Sequence, residues 1–320
     1  MTEYAVSPGP RDFARLLDLW FRTYRNHFKS LIPFGIVIAI LSNAMQLVMT
    51  WAFFGGGLGD GGDPEAGRIF FGLLVVFALM VIMLVGYATM IGACIEATRA
   101  TWRNERPRAG ELWERLKVRL GRIILTLLLS FLILMGIGVV LTIVFVVLVI
   151  IPILGWLMLI PAIPAMFAVY ATVSAALSIA PSAAVEEDRS ASDAVSRGWS
   201  LMFPKGRPLW SARATWWRGA LFFLVAMIVG YVLNILAAMP AMVPQWIAMA
   251  RNATPVYGPL GPQFLPLTFQ LPLTLLTAIL QGLVMPFGLV AWPILYYDLR
   301  ARLEGLDLDR RLADLETDEA

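Results

Sequence analysis

The stretch IILTLLLSFLILMGIGVVLTIVFVVLVI at residues 123–150 opens a longer run, residues 123–185, that contains no formally charged side chain. One helix crosses the hydrocarbon of a bilayer with about 20 apolar residues. The run is too long for a single crossing, and because both of its flanks are basic it must contain an even number of crossings. We therefore predict two spans, at about 123–149 and 157–180, joined by a turn around Pro152 and Gly155.

The rest of the chain contains four more apolar stretches of spanning length. They lie at about 31–53, 70–95, 219–239 and 273–297. Charged residues make up only 15% of the chain and hydrophobic residues 59%, whereas soluble domains carry about 25% charged residues. The sequence therefore predicts an all-α, polytopic membrane protein with six transmembrane helices, organised as one membrane domain over residues 1–320.

The basic residues predict the topology. Of the 25 Lys and Arg residues, all but Arg68 and Arg251 lie in four clusters between the apolar stretches. These clusters span residues 11–29, 99–122, 189–218 and 300–311. Because cytoplasmic loops retain Lys and Arg, we predict three hairpins with both termini in the cytoplasm. The acidic residues 305–320 then form a cytoplasmic tail.

Each hairpin is preceded by a segment with the pattern of an amphipathic helix lying in the membrane surface. In residues 11–29 the apolar and charged residues fall on opposite helical faces. The apolar face consists of Phe13, Leu16, Leu17, Trp20, Tyr24 and Phe28, and the charged face of Arg15, Asp18, Arg22, Arg25 and Lys29. Residues 110–122 repeat the pattern and residues 192–203 repeat it more weakly. The three units are either copies of one repeat or the ordinary alternation of loops and hairpins, and the sequence leaves both open.

Cations on these surface helices are candidates for contact with anionic lipid headgroups. They are Arg15, Arg22, Arg25, Lys29, Arg115, Arg119 and Arg122. The net charge of +3 also fits nucleic acid, but every basic cluster adjoins a span, which favours a phospholipid surface. We therefore expect membrane lipids as partners, with room for a membrane protein partner, and no nucleic acid.

A second candidate site is a set of polar residues inside the spans, in the half of the bilayer away from the basic clusters. It comprises Asn43, Gln46 and Thr50 on the first span, Asn234 on the fifth, and Thr274, Thr277 and Gln281 on the sixth. Such side chains either hydrogen bond between helices or line a water-filled cavity. We favour hydrogen bonds between helices, because no acid or base lies among them.

Catalytic residues are scarce. His27 is the only histidine and Cys94 the only cysteine, so neither a zinc site nor a disulfide is expected. No glycine-rich phosphate loop is present, and we expect Glu96 to form an ion pair with Arg99 or Arg103. The sequence therefore predicts no enzyme, no cofactor and no metal site.

The end of the last span reads YYDLRARLEGLDL at 296–308, with i,i+4 pairs expected between Asp298 and Arg302 and between Arg300 and Glu304. This stretch resembles the C-terminal end of the bacterial family grouped with the membrane domain of glycerophosphoryl diester phosphodiesterases. Residues 180–186 and 193–201 resemble a second family pattern, although Gly198 stands where a serine is expected.

The resemblance implies the helical membrane fold and a bacterial inner-membrane location. The family's membrane part has no established activity, so no catalytic residue carries over, and we expect no soluble phosphodiesterase domain. The predicted function is a non-catalytic protein that organises a partner protein or local lipid through its basic surface helices. The alternative is a carrier or channel for a small molecule or lipid that uses the intramembrane polar residues.

Overall fold

A computed structural model describes residues 12–54, 66–151, 154–204, 215–251, 257–258, 261–262 and 267–304. Within these ranges the chain forms eight α-helices and one short two-stranded ladder. The helices are α1 (Phe13–Phe54), α2 (Ala66–Trp102), α3 (Ala109–Lys117), α4 (Leu120–Ile150), α5 (Leu154–Glu186), α6 (Ala191–Met202), α7 (Trp216–Arg251) and α8 (Leu267–Glu304). Between α7 and α8, β1 (Tyr257–Gly258) pairs antiparallel with β2 (Gly261–Pro262).

Six of these helices, α1, α2, α4, α5, α7 and α8, are long and apolar enough to cross a membrane. All six predicted spans lie within them, so the prediction of a helical, multi-pass membrane protein is confirmed. The helices are longer than the predicted spans, however, with 31 residues in α4 and 42 in α1. The predicted tail, residues 305–320, lies outside the described residues.

The first helix differs from the sequence prediction. We expected a surface helix over 11–29 and a separate span over 31–53, but α1 is one helix that contains Pro33. Its N-terminal part crosses three other helices in turn. Phe13 contacts Phe222 of α7, with ring centroids 6.2 Å apart, Trp20 donates a hydrogen bond to the Phe287 carbonyl of α8 at 2.6 Å, and His27 bonds to Thr101 of α2 at 3.0 Å.

The apolar face that we predicted to lie in lipid therefore packs against protein. Leu16 and Trp20 are fully buried. An amphipathic pattern shows that one face leaves water, and it does not show whether lipid or protein covers that face. We call residues 13–29, the part of α1 that crosses α7, α8 and α2, the crossing segment.

The two short helices also dock on their neighbours. Leu112 and Leu116 of α3 are buried, and α6 begins at an N-cap in which the Ser190 side chain accepts a hydrogen bond from the Asp193 backbone. Gly198 explains the departure from the family pattern noted above. A Cβ atom there would collide with the Ala176 carbonyl oxygen of α5, so only glycine lets α6 approach this closely.

Contacts between helices repeat in threes. By their order in the chain alone, we call α1, α4 and α7 the outgoing helices and α2, α5 and α8 the returning helices. Each outgoing helix contacts the returning helix that follows it, as α1–α2, α4–α5 and α7–α8, and also the preceding returning helix in cyclic order, as α4–α2, α7–α5 and α1–α8. The returning helices α2, α5 and α8 contact one another. The short helix α3 rests on α1 and α2, α6 rests on α4 and α5, and the crossing segment rests on α7 and α8.

The core of the protein lies at one end of this arrangement, where α2, α5 and α8 finish. We call this end the base. It contains most of the buried polar side chains, including Glu96, Ser182, Arg218 and Asp298. Towards the opposite end, α4 exposes a continuous apolar surface from Phe131 to Ile150. Such a surface is covered by lipid in a membrane protein.

Candidate functional site

The base contains a cluster of ion pairs built on the acidic residues at the ends of the three returning helices. Glu96 at the end of α2 is 2% exposed and accepts hydrogen bonds from Arg99 at 3.0 Å and Arg119 at 3.3 Å. Arg99 also pairs with Glu186 at the end of α5, at 2.9 Å. The predicted pair of Glu96 with Arg99 is thus confirmed, and α2, α4 and α5 are tied together.

Glu187 joins α5, α6 and α8. Its carboxylate accepts hydrogen bonds from Tyr296 at 2.7 Å, Arg197 at 2.9 Å and Arg189 at 2.5 Å. Partial burial acts to raise the pKa of Glu187, but the hydrogen bonds from these three donors outweigh it, so the pKa lies below its ordinary value. Arg197 also binds Glu304, so this group reaches the last turn of α8.

Asp298 links α8 to α7 by an ion pair. Its carboxylate pairs with Arg218 at 2.9 Å and with Arg302 at 3.1 Å, and its own side chain is almost fully buried. The local pairs Asp298–Arg302 and Arg300–Glu304 are the two that the sequence predicted, and both are confirmed. The pair with Arg218, from a residue 80 positions away, was not predicted.

Three of the predicted lipid-contacting cations also take part in ion pairs within the protein. Arg115 pairs with Glu105 at 2.9 Å, Arg119 with Glu96, and Arg122 with Asp188. The hydrogen bond from Arg115 lowers the pKa of the exposed Glu105 carboxyl. Carboxylates thus already neutralise these guanidinium groups and accept their hydrogen bonds. Less positive charge and fewer N–H donors remain for a lipid phosphate.

The other four predicted cations, Arg15, Arg22, Arg25 and Lys29, form no ion pair with any carboxylate in the part of the chain that the structure describes. The same holds for Arg103, Arg106 and Arg108, which follow α2 and are exposed. Two hydrogen bonds hold the segment that carries the first four cations next to the segment that carries the other three. Ser30 donates to the Pro107 carbonyl at 2.6 Å, and His27 bonds to Thr101 at 3.0 Å.

We call these seven cations together the open cation surface. Sequence reasoning missed the 103–108 part of it. The signal was present in three cations within the sequence Arg103–Arg108, a segment that starts directly after a span and contains Pro107. What the sequence could not give was which cations are paired, because their partners are distant along the chain.

The intramembrane polar residues are only partly brought together. Asn43 donates a hydrogen bond to Gln281 at 3.0 Å, which links α1 to α8. Asn234 bonds to the Gly230 carbonyl of its own helix and is exposed. Of the others, Gln46 is exposed, Thr274 is half-buried, Thr277 is buried and the side chain of Thr50 is not described. Asn43 and Gln281 are thus two members of the set that the structure joins by a direct hydrogen bond.

The residues considered for chemistry are enclosed. Cys94 is a buried free thiol, and His27 is 2% exposed. Among the described residues no group of three His, Cys, Asp or Glu side chains is placed to hold a metal ion. In comparisons with known protein families, with curated proteins and with solved structures, nothing matches this chain. The family resemblance drawn from the two motifs therefore stays a prediction.

Proposed function

We propose that this chain is a non-catalytic bacterial inner-membrane protein that organises anionic lipid at the cytoplasmic face through its open cation surface. In this proposal both termini are cytoplasmic, and the six spans form three hairpins, each preceded by a surface helix. The observation that supports it most is the division of the cations. Arg115, Lys117, Arg197, Arg218, Arg300 and Arg302 are paired with carboxylates, whereas the described cations of the crossing segment and of residues 103–108 are not.

Within the described residues, the cations without an ion pair lie in α1 and directly after α2, next to the first of the three hairpins. In the second and third hairpins, an Arg at the start of the outgoing helix pairs with an acid near the end of the returning one, as Arg122 with Asp188, just after α5, and Arg218 with Asp298, inside α8. At the corresponding place in the first hairpin, the neutral Ser30 binds the Pro107 carbonyl. The nearby cations thus keep their charge available for phosphate groups.

The carrier alternative has weaker support. It relied on polar residues lining a cavity, and the contact between Asn43 and Gln281 is instead a direct hydrogen bond between two helices. Such bonds stabilise helix association in membranes by about 0.6–2 kcal/mol. We therefore assign this pair a structural role in the proposal.

Lipid retention measured by native mass spectrometry tests the proposal. The protein is released in mild detergent and titrated with phosphatidylglycerol or with phosphatidylcholine. A membrane-surface cation contributes about 1 kcal/mol of attraction to anionic lipid, so Arg25→Glu with Lys29→Glu should weaken phosphatidylglycerol retention tenfold or more. The control, Lys117→Glu with Arg122→Glu, changes the charge equally at exposed cations that are paired.

The proposal fails if both double variants retain phosphatidylglycerol like the parent protein, or if the parent shows no preference for the anionic lipid. The parent protein could instead retain another protein from the native membrane at a fixed stoichiometry, and the Arg25→Glu, Lys29→Glu variant could lose it. That result would show that the same surface binds a protein partner instead of lipid.

A further inference from the structure

The six long helices are longer than a bilayer requires, and in α2 and α5 the part nearest the base is buried in protein. A bilayer needs about 20 residues per helix, whereas α8 has 38 and α2 has 37. Along α2, large apolar side chains are exposed from Phe70 to Val85, and residues from Ala88 onward are almost all buried. In the same way α5 changes from exposed to buried near Ala171.

The positions of the buried charged residues agree with this change from exposed to buried side chains. Glu96, Arg218 and Asp298 are buried charges that lie beyond it, towards the ends of the helices. Charged groups at the centre of a bilayer are costly, whereas the same groups in a protein core next to water can be satisfied by ion pairs. The apolar belt and the charged core are therefore separate levels of the molecule.

The crossing segment lies at the boundary between these levels. Its Trp20 stacks on Phe287 with ring centroids 4.4 Å apart and also contacts Phe222. Phe287 precedes Asp298 by eleven residues of α8, which is about 16 Å along a helix at 1.5 Å per residue. At Trp20 the segment thus lies just below the belt and well above Asp298, whereas at His27 it lies lower, against Thr101 near the end of α2.

The exposed side of the crossing segment has two chemically distinct edges. Phe21 is 52% exposed and Phe28 is half-exposed on one edge. Arg15, Arg25 and Lys29 are exposed on the other. A pocket of about 450 Å³ lies where the edges meet, and its lining includes Phe21, Arg22, Arg25, Phe28 and one acid, Asp18. This arrangement fits a lipid, with aromatic rings towards the acyl chains and guanidinium groups towards the phosphate.

We infer that the crossing segment is a collar that lies at the headgroup level of the cytoplasmic leaflet, and that its pocket binds the phosphodiester group of an anionic phospholipid. The base then stands outside the hydrocarbon. This inference rests on the proposed function. It adds the depth of the crossing segment in the membrane and the pocket that binds the lipid headgroup. It moves the sixth span from 273–297 to about 268–287, because about 20 residues separate the collar from the opposite interface.

The depth of the collar is measured by spin labels in vesicles of phosphatidylcholine and phosphatidylglycerol. On a Cys94→Ala background, single labels replace Phe21 in the collar, Leu132 in the exposed belt of α4, and Ser196 on the exposed side of α6. Collision with oxygen marks hydrocarbon and collision with a nickel chelate marks water. The expected order is Leu132 deepest, Phe21 near the headgroups and Ser196 in water.

A Phe21 label as deep as that at Leu132, or as accessible to nickel as that at Ser196, overturns the collar. This result is independent of lipid preference. A collar at the expected depth in a protein with no phosphatidylglycerol preference would refute the proposed function and leave the collar in place.

Neutral variants test the pocket. Arg22→Gln with Arg25→Gln should lower phosphatidylglycerol retention at least fivefold in native mass spectrometry. Arg103→Gln with Arg108→Gln removes the same charge from the open cation surface outside the pocket and should lower phosphatidylglycerol retention by a clearly smaller factor. Equal losses in the two variants would overturn the pocket as a site and leave a diffuse charged surface.

Discussion

Replacing Asp298 should cost more stability than any other single change in the ion-pair cluster. The carboxylate lies 2.9 Å from Arg218 and 3.1 Å from Arg302, and the Asp298 side chain is 1% exposed. Removing one partner of a buried pair costs about 3–5 kcal/mol because the other charge loses its compensation. Asp298→Leu should therefore lower the free energy of unfolding by about 3 kcal/mol or more, measured by SDS titration in mixed micelles with tryptophan fluorescence.

A double-mutant cycle separates this effect from simple loss of packing. Replacing a buried pair by apolar residues of similar size is often neutral, so adding Arg218→Met to Asp298→Leu should recover most of the loss. Glu304→Leu is the control, since its carboxylate is 29% exposed and surface pairs contribute only about 0–1 kcal/mol. The reasoning is refuted if Asp298→Leu costs no more than Glu304→Leu, or if the two single losses add in the double variant.

Three further predictions concern other contacts. Gly282→Ala should lower the free energy of unfolding by about 1–3 kcal/mol through overpacking, because the new Cβ would lie 2.6 Å from the Ile36 Cα. The control is Gly288→Ala in the same helix, whose Cβ would meet nothing within 4 Å and which should be neutral or stabilising in the same SDS titration. The pKa of Glu187 is lowered in the folded protein, so the stabilisation by its carboxylate is complete above the ordinary pKa of 4.5 and is lost as the pH falls through the folded pKa. The difference in melting temperature between Glu187→Gln and the parent should therefore shrink below about pH 4.5. A difference that stays constant with pH would contradict this. Replacing Asn43 by Leu should destabilise by about 0.6–2 kcal/mol through its bond to Gln281, and a loss of transport with unchanged stability would instead favour the carrier.

The sequence predicted the number of spans because charge-free length is a one-dimensional property that the bilayer thickness turns into a count. It failed at α1 for a physical reason. The periodicity that places Leu16 and Trp20 on one face is the same whether lipid or Phe287 covers that face. Ion pairs within one helix, such as Asp298–Arg302, followed from spacing, whereas Arg218–Asp298 depends on how distant helices pack and has no local signal.

The two motifs that carry the family resemblance form one joint in the structure. Tyr296 and Arg300 from the C-terminal motif meet Glu187, directly after the second motif's first stretch, and Arg197 on α6 binds Glu304. These residues therefore join α5 and α6 to α8.

The first helix meets α8 through a different kind of contact. The crossing segment packs on α8 through Trp20 and Phe287 and uses none of its cations there. The carboxylates at the end of α8, on Asp298 and Glu304, are already engaged by other arginines. Because this contact is apolar, it leaves the cations of the crossing segment outside the ion-pair cluster, and among the described residues they remain without a carboxylate partner.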